Sequence, residues 1–299
     1  MGVRGTQIKV NGTDIYAAYG AYLLEGGLNS LIQWPAAKTV AATSWQETDG
    51  CDPDLEALRL GSRTVSLSFA LRGGTAKIGQ FYADISANPY AEWEFSDIAL
   101  KRALRVTGVS SLEAAERLQL MTVSLSDDTP WDFILDGQKW TYSAPAASGV
   151  AGGYTIDGRP LADYGVSVAS GTLSGILTPA DVKPLLSRDI SLLDGVLYDG
   201  QGAESQPVNT FADRAVKLKC VLRAADATAA LRNWYALLHD LAKADTAKTD
   251  RTRRCARVLA AAGLELPCWY ESSSVNGFYP SRTGGCWIDF NITLCVFDS

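Results

Sequence analysis

Histidine occurs once in the 299 residues, at His239, and methionine twice. A single imidazole excludes a multi-histidine metal centre. The sequence also has no G-x-S-x-G, no P-loop and no H-E-x-x-H pattern, so no nucleophile elbow, phosphate cradle or zinc helix can be assigned. The six cysteines, Cys51, Cys220, Cys255, Cys268, Cys286 and Cys295, never reach C-x-x-C spacing. They read as reduced, mostly buried thiols. No run approaches the ~18 apolar residues of a membrane span, and MGVRGTQIKV has no apolar signal core, so a soluble chain made in the cytosol is expected. The Met1-Gly2 start with Thr6 formally fits a myristoylation pattern and reads more simply as the lead into a strand. Positive charge is in deficit as well: 27 Lys and Arg stand against 33 Asp and Glu, a net charge of -6. A reader of nucleic-acid sequence needs a basic face to neutralise phosphates, and this balance speaks against one. No catalytic, cofactor-binding or metal-ligating residue is assigned, no cofactor is expected, and the chain is not expected to be an enzyme.

What the sequence does have is a repeated stretch. Asn11 to Lys38, NGTDIYAAYGAYLLEGGLNSLIQWPAAK, recurs weakly as Asp157 to Lys183, DGRPLADYGVSVASGTLSGILTPADVK. Gly12 answers to Gly158, Tyr19-Gly20 to Tyr164-Gly165, Gly26 to Gly171, Leu28 to Leu173 and Lys38 to Lys183. Downstream, Arg63 to Arg72 (RTVSLSFALR) alternates apolar and polar residues as a half-buried strand does, and Arg214 to Arg223 (RAVKLKCVLR) repeats it. A helix is predicted after each: Ile78, Phe81, Tyr82 and Ile85 fall at helical spacing behind Thr75 as N-cap, and Leu231, Trp234, Tyr235, Leu238 and Leu241 do so within Asp226 to Ala244. The closing stretch from Cys286 parallels Arg117 to Ser126. Matched blocks in one order indicate a tandem duplication. The expected division is residues 1–142, a small-residue linker over 143–153 (SAPAASGVAGG), and residues 154–299.

Between these blocks, Ile15 to Leu24 reads as a β-like run, Thr39 to Gly61 as a long loop, and Glu92 to Ile98 and Arg102 to Val109 as strands. Ser110-Ser-Leu-Glu113 offers a capping box for a short helical turn, and Trp131 to Tyr142 a hairpin around Asp136-Gly137. In the second half, Ser187 to Asn209 is a connection with a strand at Ile190 to Leu193 and a tip at Asp199 to Gly202. Cys255 to Ala262 could be helical, and Leu264 to Ser272 and Asn276 to Ser281 are separate strands. The acidic run Glu47 to Asp54 lacks calcium-loop spacing and reads as a solvated loop. The basic run Thr249 to Arg254 reads as a solvated face or a contact for an acidic neighbouring subunit. His239 reads as a surface or edge residue, and the pairs Asp127/Asp128 and Asp52/Asp54 have no assigned chemistry.

The order of elements resembles the tail-tube fold shared by tail-tube and distal-tail proteins of long-tailed phages. An N-G or D-G hairpin opens each copy. A polar loop, an alternating strand ending in Arg, a helix with an aromatic pair and closing strands follow, with Asp128-Thr129-Pro130 at the end of the first copy. Phe95-Ser-Asp97 with Arg102 to Val106 resembles the post-helix segment of distal-tail proteins. The resemblance implies a mainly β fold with flanking helices (α+β): two tandem tail-tube-like β-sandwich or barrel domains, each with one packed helix. It implies a virion structural protein, a distal-tail or baseplate hub component, or alternatively the major tail-tube protein. Such a part forms a ring homo-oligomer, trimer or hexamer, around a DNA channel. Its partners would be tube and tail-tip proteins and DNA passing without sequence recognition, with no membrane, and it would be assembled in the host bacterial cytoplasm. A carbohydrate-binding β-sandwich, stacking sugars on Trp131, Trp140 or Trp269, is the reading from another class.

Overall fold

A computed structural model of the chain describes residues 7–45, 48–72, 75–114, 118–150, 153–183, 210–280 and 285–297. The fold is mainly β with flanking helices. The first half runs β1 (Ile8–Val10), β2 (Thr13–Asp14), α1 (Ile15–Tyr19), β3 (Ala21–Leu23), α2 (Gly27–Ile32), β4 (Ala42–Thr43), β5 (Asp52–Pro53), β6 (Arg63–Leu71), α3 (Thr75–Ser86), β7 (Ala91–Phe95), β8 (Leu100–Ala114), β9 (Gln119–Asp127), β10 (Phe133–Leu135) and β11 (Gln138–Lys139). The second runs β12 (Tyr154–Ile156), β13 (Arg159–Pro160), β14 (Val166–Val168), α4 (Thr172–Leu177), β15 (Arg214–Ala224), α5 (Ala227–Ala242), β16 (Arg257–Ala261), β17 (Leu264–Pro280) and β18 (Cys286–Val296).

The strands of the first half lie in the order β2-β1-β7-β8-β9-β6-β3, and those of the second in the order β13-β12-β16-β17-β18-β15-β14. Replacing each first-half strand by its counterpart in chain order turns one list into the other, and the added hairpin β10–β11 pairs β8 alone. Registers agree as well as order. Ala21 faces Leu71 and Leu23 faces Phe69, while Val166 faces Leu222 and Val168 faces Cys220. The ladder β6–β9 opens on Arg63 opposite Asp127, and β15–β18 on Arg214 opposite Val296. Strand β8 pairs with β7 and β10 over its first residues and with β9 over the rest, so one long bent strand joins two layers; β17 does the same between β16 and β18.

The alternating apolar residues of β6, Val65, Leu67 and Phe69, and of β15, Val216, Leu218 and Cys220, all point into the core. α5 covers β15, β17 and β18 with Leu231, Trp234, Leu238 and Leu241, its N-terminus capped by Asp226 accepting from Ala229 N–H. In α3, Ile78, Phe81 and Ile85 are buried and Tyr82 half-buried. Asn11-Gly12, Asp136-Gly137 and Asp157-Gly158 each have two consecutive positive φ angles, the geometry of a tight hairpin turn.

Several expectations are corrected. Ile15 to Tyr19 is a short helix and not a β run, because Asp14 Oδ1 caps it by accepting from Tyr16 and Ala17 N–H at 2.9 and 3.0 Å. Ser110 to Glu113 is strand: β9 offers Ser111 to Glu113 a full set of partners, which outweighs a local capping box. Cys255 to Ala262 holds strand β16, since pairing to β12 and β17 overrides the helix propensity of its alanines. Leu264 to Pro280 is one strand, not two, and absorbs its irregularities as register shifts near Ser272 and Gly277. The expected strand Ile190 to Leu193, the tip Asp199 to Gly202 and Gly73-Gly74 lie outside the described residues.

Candidate functional site at the joint between the halves

The stretch after α2, from Gln33 to Ala37, leaves its own sheet and lies on the second half. Trp34 stacks on Trp234 of α5, ring centroids 3.9 Å apart at 26°, with Tyr270 and Phe290 edge-on or tilted around it at 5.9 and 6.2 Å. Trp234 Nε1 donates to Ile32 O at 2.7 Å and Tyr270 OH to Pro35 O at 2.8 Å, so these buried polar tips end on backbone of the other half. Along the outer edge of β17, Ala37 N–H donates to Glu271 O at 2.8 Å and Gln33 Nε2 to Ser273 O at 3.5 Å. Asn29 closes the row, accepting from Phe278 N–H at 2.9 Å and donating to Asn276 O at 3.4 Å. A segment of the first half thus takes the edge that β16 leaves uncovered.

A buried ionic cluster sits beside this row. Arg63 Nε and Nη2 donate to Asp127 Oδ2 at 2.9 and 2.8 Å, and Arg102 Nη1 donates to the same oxygen at 2.7 Å. Burial and the neighbouring Arg102 charge push the Arg63 guanidinium below its ordinary value. Arg63 Nη1 also donates to Gln33 O, and Arg102 Nη2 reaches Tyr235 OH of α5 at 2.8 Å. The Arg102 guanidinium lies 4.3 Å from the centre of the Phe133 ring.

Further along α5 lies His239, expected from the sequence at a surface or an edge. It is half-buried, stacked on Tyr142 at 4.0 Å and 17°, with Trp131 and Trp140 near it at 5.9 and 6.2 Å. Its neighbour Asp240 accepts from Tyr164 OH at 2.5 Å, Tyr142 OH at 3.0 Å and Arg159 Nη1 at 3.1 Å. Burial alone would raise the Asp240 carboxyl, but the hydrogen bonds from His239, Tyr164 and Tyr142 and the Arg159 charge leave it below its ordinary value. That carboxylate ties Tyr142, Arg159 and Tyr164 to the helix.

The long loop 39–61 wraps the second half instead of standing in solvent throughout. Leu55 is buried with Cys255, Trp269, Cys295 and Phe297, and Leu55 and Cys255 exchange partners across the loop through Leu55 N–H to Thr252 O and Cys255 N–H to Leu55 O, both 2.8 Å. Two of its carboxylates fasten it, Asp49 Oδ1 accepting from Phe211 N–H at 2.8 Å and Asp52 pairing with Arg253 at 2.5 Å, while Asp54 Oδ1 accepts from Glu56 N–H at 3.1 Å within the loop itself. The basic run is met by this loop through Arg253, whose guanidinium also lies over Phe297.

Of the tryptophans considered as sugar platforms, Trp269 is buried against Phe297, and Trp131 and Trp140 stack on each other at 5.7 Å under Lys243 and against α5. Asp127 and Asp128 are both occupied, Asp128 by Arg105 at 2.8 and 3.2 Å, Ser126 at 2.6 Å and Tyr90 at 2.9 Å. The cysteines are free thiols; burial raises Cys220 and Cys268 to about 12 and Cys286 to about 11. Among the described residues no group of three or more His, Cys, Asp or Glu side chains could hold a metal ion, and no helix is long and apolar enough to cross a membrane. Sequence reasoning missed the joint itself. Its signals were Trp34 and Leu55, large apolar residues set in stretches with no helical or strand periodicity.

No protein-family model and no curated protein sequence matches the chain. Among solved structures it is similar to the SPP1 Dit (gp 19.1) protein, described as a paradigm of the hub adsorption apparatus in Gram-positive infecting phages. The two share 10% identity over 98% of this chain and 99% of that one, with a TM-score of 0.32, a level of likeness on which no conclusion about fold or function rests.

Proposed function

We propose that the chain is a structural component of a long-tailed phage tail: a distal-tail or baseplate hub protein with two tandem tail-tube-like units, residues 1–142 and 154–299, joined by the linker 143–153. It builds a ring around the DNA channel, joins the tube to the tail tip, and carries out no catalysis. The observation that carries this reading is the strand order drawn twice in one chain with matching registers. A ring repeats one unit around an axis by head-to-tail contacts, and a duplicated unit that already docks one copy on the other supplies such a contact within a single chain. The ionisable groups at the joint are spent on holding the halves together, as a scaffold requires. Net negative charge lets DNA pass a lumen without adhering, whereas a basic lumen would retain it. The chain is made and assembled in the host cytoplasm and ends in the virion.

Negative-stain imaging and native mass measurement of the purified protein test this. Rings of three or six chains are expected. Long tubes in place of rings would assign the chain to the tail tube, and a strictly monomeric chain at micromolar concentration, with and without tail partners, overturns the reading.

A further inference from the structure

The contact between the halves runs in one direction. The segment from Asn29 to Ala37 of the first half covers the outer edge of β17 in the second. Because Arg63 opposes Asp127 and Arg214 opposes Val296, positions along β9 and β18 correspond: Leu125 to Leu294, each two residues earlier, and Met121 to Phe290, each six earlier. Their partners on the long bent strands correspond in turn. Val106 (opposite Leu125) matches Tyr270 (opposite Leu294), and Leu112 (opposite Met121) matches Val275 (opposite Phe290). By the same count Val109 matches Ser273, and Thr107, in the register shift after Val106, matches Glu271, in the shift after Tyr270. On the other side of the contact, Ile32 and Leu177 end α2 and α4, and Ala37 and Val182 each form an isolated bridge, to Leu60 and Phe211.

The matched residues differ in one respect. Within the chain Ile32 and Tyr270 are fully buried and Ala37 and Val275 pack against the core. Of their counterparts, Leu177 is 54% exposed, Val182 50% and Leu112 55%, and Val109, the counterpart of the buried Ser273, is 40% exposed, whereas Val106, the counterpart of Tyr270, stays packed against its own core. Two apolar surfaces are therefore left over, one on each half, and each copies one side of a joint that the chain has already formed once.

We propose that these two surfaces meet between chains. The stretch from α4 to Val182 of one copy lies on the outer edge of β8 of a second copy, with Leu177 and Val182 against Val109 and Leu112 and the Val182 N–H directed at Thr107 O, as Ala37 N–H is directed at Glu271 O within the chain. The occupant is a second copy of this chain because Leu177, Val182, Val109 and Leu112 repeat positions of the joint that the chain has already formed. The contact is heterologous, so each added chain offers the same pair of surfaces again. Unpaired strand edges are a hazard in a monomer, and here they serve as the connection. This inference rests on the ring reading and specifies its interface.

Two double variants test it. One carries Leu177→Asp and Val182→Asp, the other Val109→Asp and Leu112→Asp. All four side chains are exposed in the single chain, so both variants should melt within a few degrees of wild type. Each alone is expected to be monomeric by native mass measurement where wild type assembles, and an equimolar mixture to give a one-to-one dimer that grows no further, since it has one intact surface of each kind to use. Wild-type assembly unaffected by either double variant overturns this interface and leaves the ring reading standing. Folded variants whose mixture stays monomeric overturn it too. A wild-type chain that never assembles overturns both.

Discussion

Gly20 and Gly165 show how much one residue can fix. Both have positive φ, 66° and 72°, and their carbonyls accept from Arg72 and Arg223 N–H at 3.1 and 2.8 Å, where β3 and β14 join their sheets. A Cβ at Gly20 would sit 2.5 Å from Arg72 O, and one at Gly165 closer still to Arg223 O. Alanine at either site would carry the left-handed penalty of ~1–2 kcal/mol per residue and would also force a backbone carbonyl aside. Gly20→Ala and Gly165→Ala should each lose about 3 kcal/mol or more, read from the urea midpoint; a loss below about 1 kcal/mol would show that the sheet edge yields. Asp128 carries a pH signature. The hydrogen bond from Arg105, then those from Ser126 and Tyr90, hold its carboxyl well below the usual carboxylate range. A depressed folded value means the unfolded chain takes up the proton first. The stabilisation is therefore complete above an ordinary carboxyl value of about 4 and drains away as pH falls towards the folded value. The difference in melting temperature between wild type and Asp128→Asn should narrow steadily from about pH 5 to about pH 2, and a difference that does not change with pH would remove Asp128 from the account.

Among the elements, the two copies diverge where they face each other. Arg63 keeps its counterpart, since Arg214 donates to Thr178 O at 2.6 Å as Arg63 does to Gln33 O. Asp127 does not, being replaced by Val296 opposite Arg214. Arg102, opposite Trp93, is replaced by Leu266, opposite Leu259. The second half therefore fills with two aliphatic side chains the place where the first buries an ion pair, and the pair earns its specificity by reaching Tyr235 across the joint. Asp127→Asn leaves two buried guanidinium groups short of a counter-charge and should cost about 3–5 kcal/mol. The double variant Asp127→Val with Arg102→Leu, which copies the second half at these two positions, removes one of the two guanidinium groups but leaves Arg63 buried without its carboxylate, so it should recover only part of that loss. Chemical denaturation of Asp127→Val, Arg102→Leu and the double variant closes the cycle, and additive losses would sink the argument. Much at this scale was legible in the sequence. The alternation of Arg63 to Arg72 and Arg214 to Arg223, and the aromatic pairs at Phe81 and Trp234, placed β6, β15, α3 and α5 because a single buried face imposes a period. What misled was short or set by distant partners: five residues of α1 are too few to show a period, Ser110 to Glu113 carries a cap motif inside a paired strand, and the alanines after Cys255 follow their neighbours. The local signal at Trp34, a large apolar residue in a stretch without periodicity, marks it for burial, and its partners Trp234 and Tyr270 lie too far along the chain for that signal to name them.

For the whole molecule, the two sheets share one continuous apolar core, with Trp34, Trp234, Tyr270 and Phe290 on its dividing line. The covalent connection between them is a different matter. Ser143 to Val150 has no strand or helix and is almost wholly exposed, fixed at one point where Asp163 Oδ1 accepts from Ser148 N–H and Oγ at 2.8 and 3.0 Å. The linker therefore carries little of the stability, and the joint carries most of it: stacked aromatics of ~150–250 Å² each, the edge row along β17, the Arg102–Tyr235 contact and the loop clasp at Leu55. These are the features of an obligate interface rather than of two units that move freely on a tether. A protease recognition sequence placed at Ala146-Ala147 should be cut readily in the folded protein, and the two fragments should still elute together at native salt and separate only in denaturant. The same cut made in Trp34→Ala, which removes the central ring at a cost of about 3–5 kcal/mol, should release the halves from each other. Fragments of the unmutated chain that part on simple dilution to micromolar concentration would mean that the tether, and not the joint, sets the geometry a ring would have to repeat.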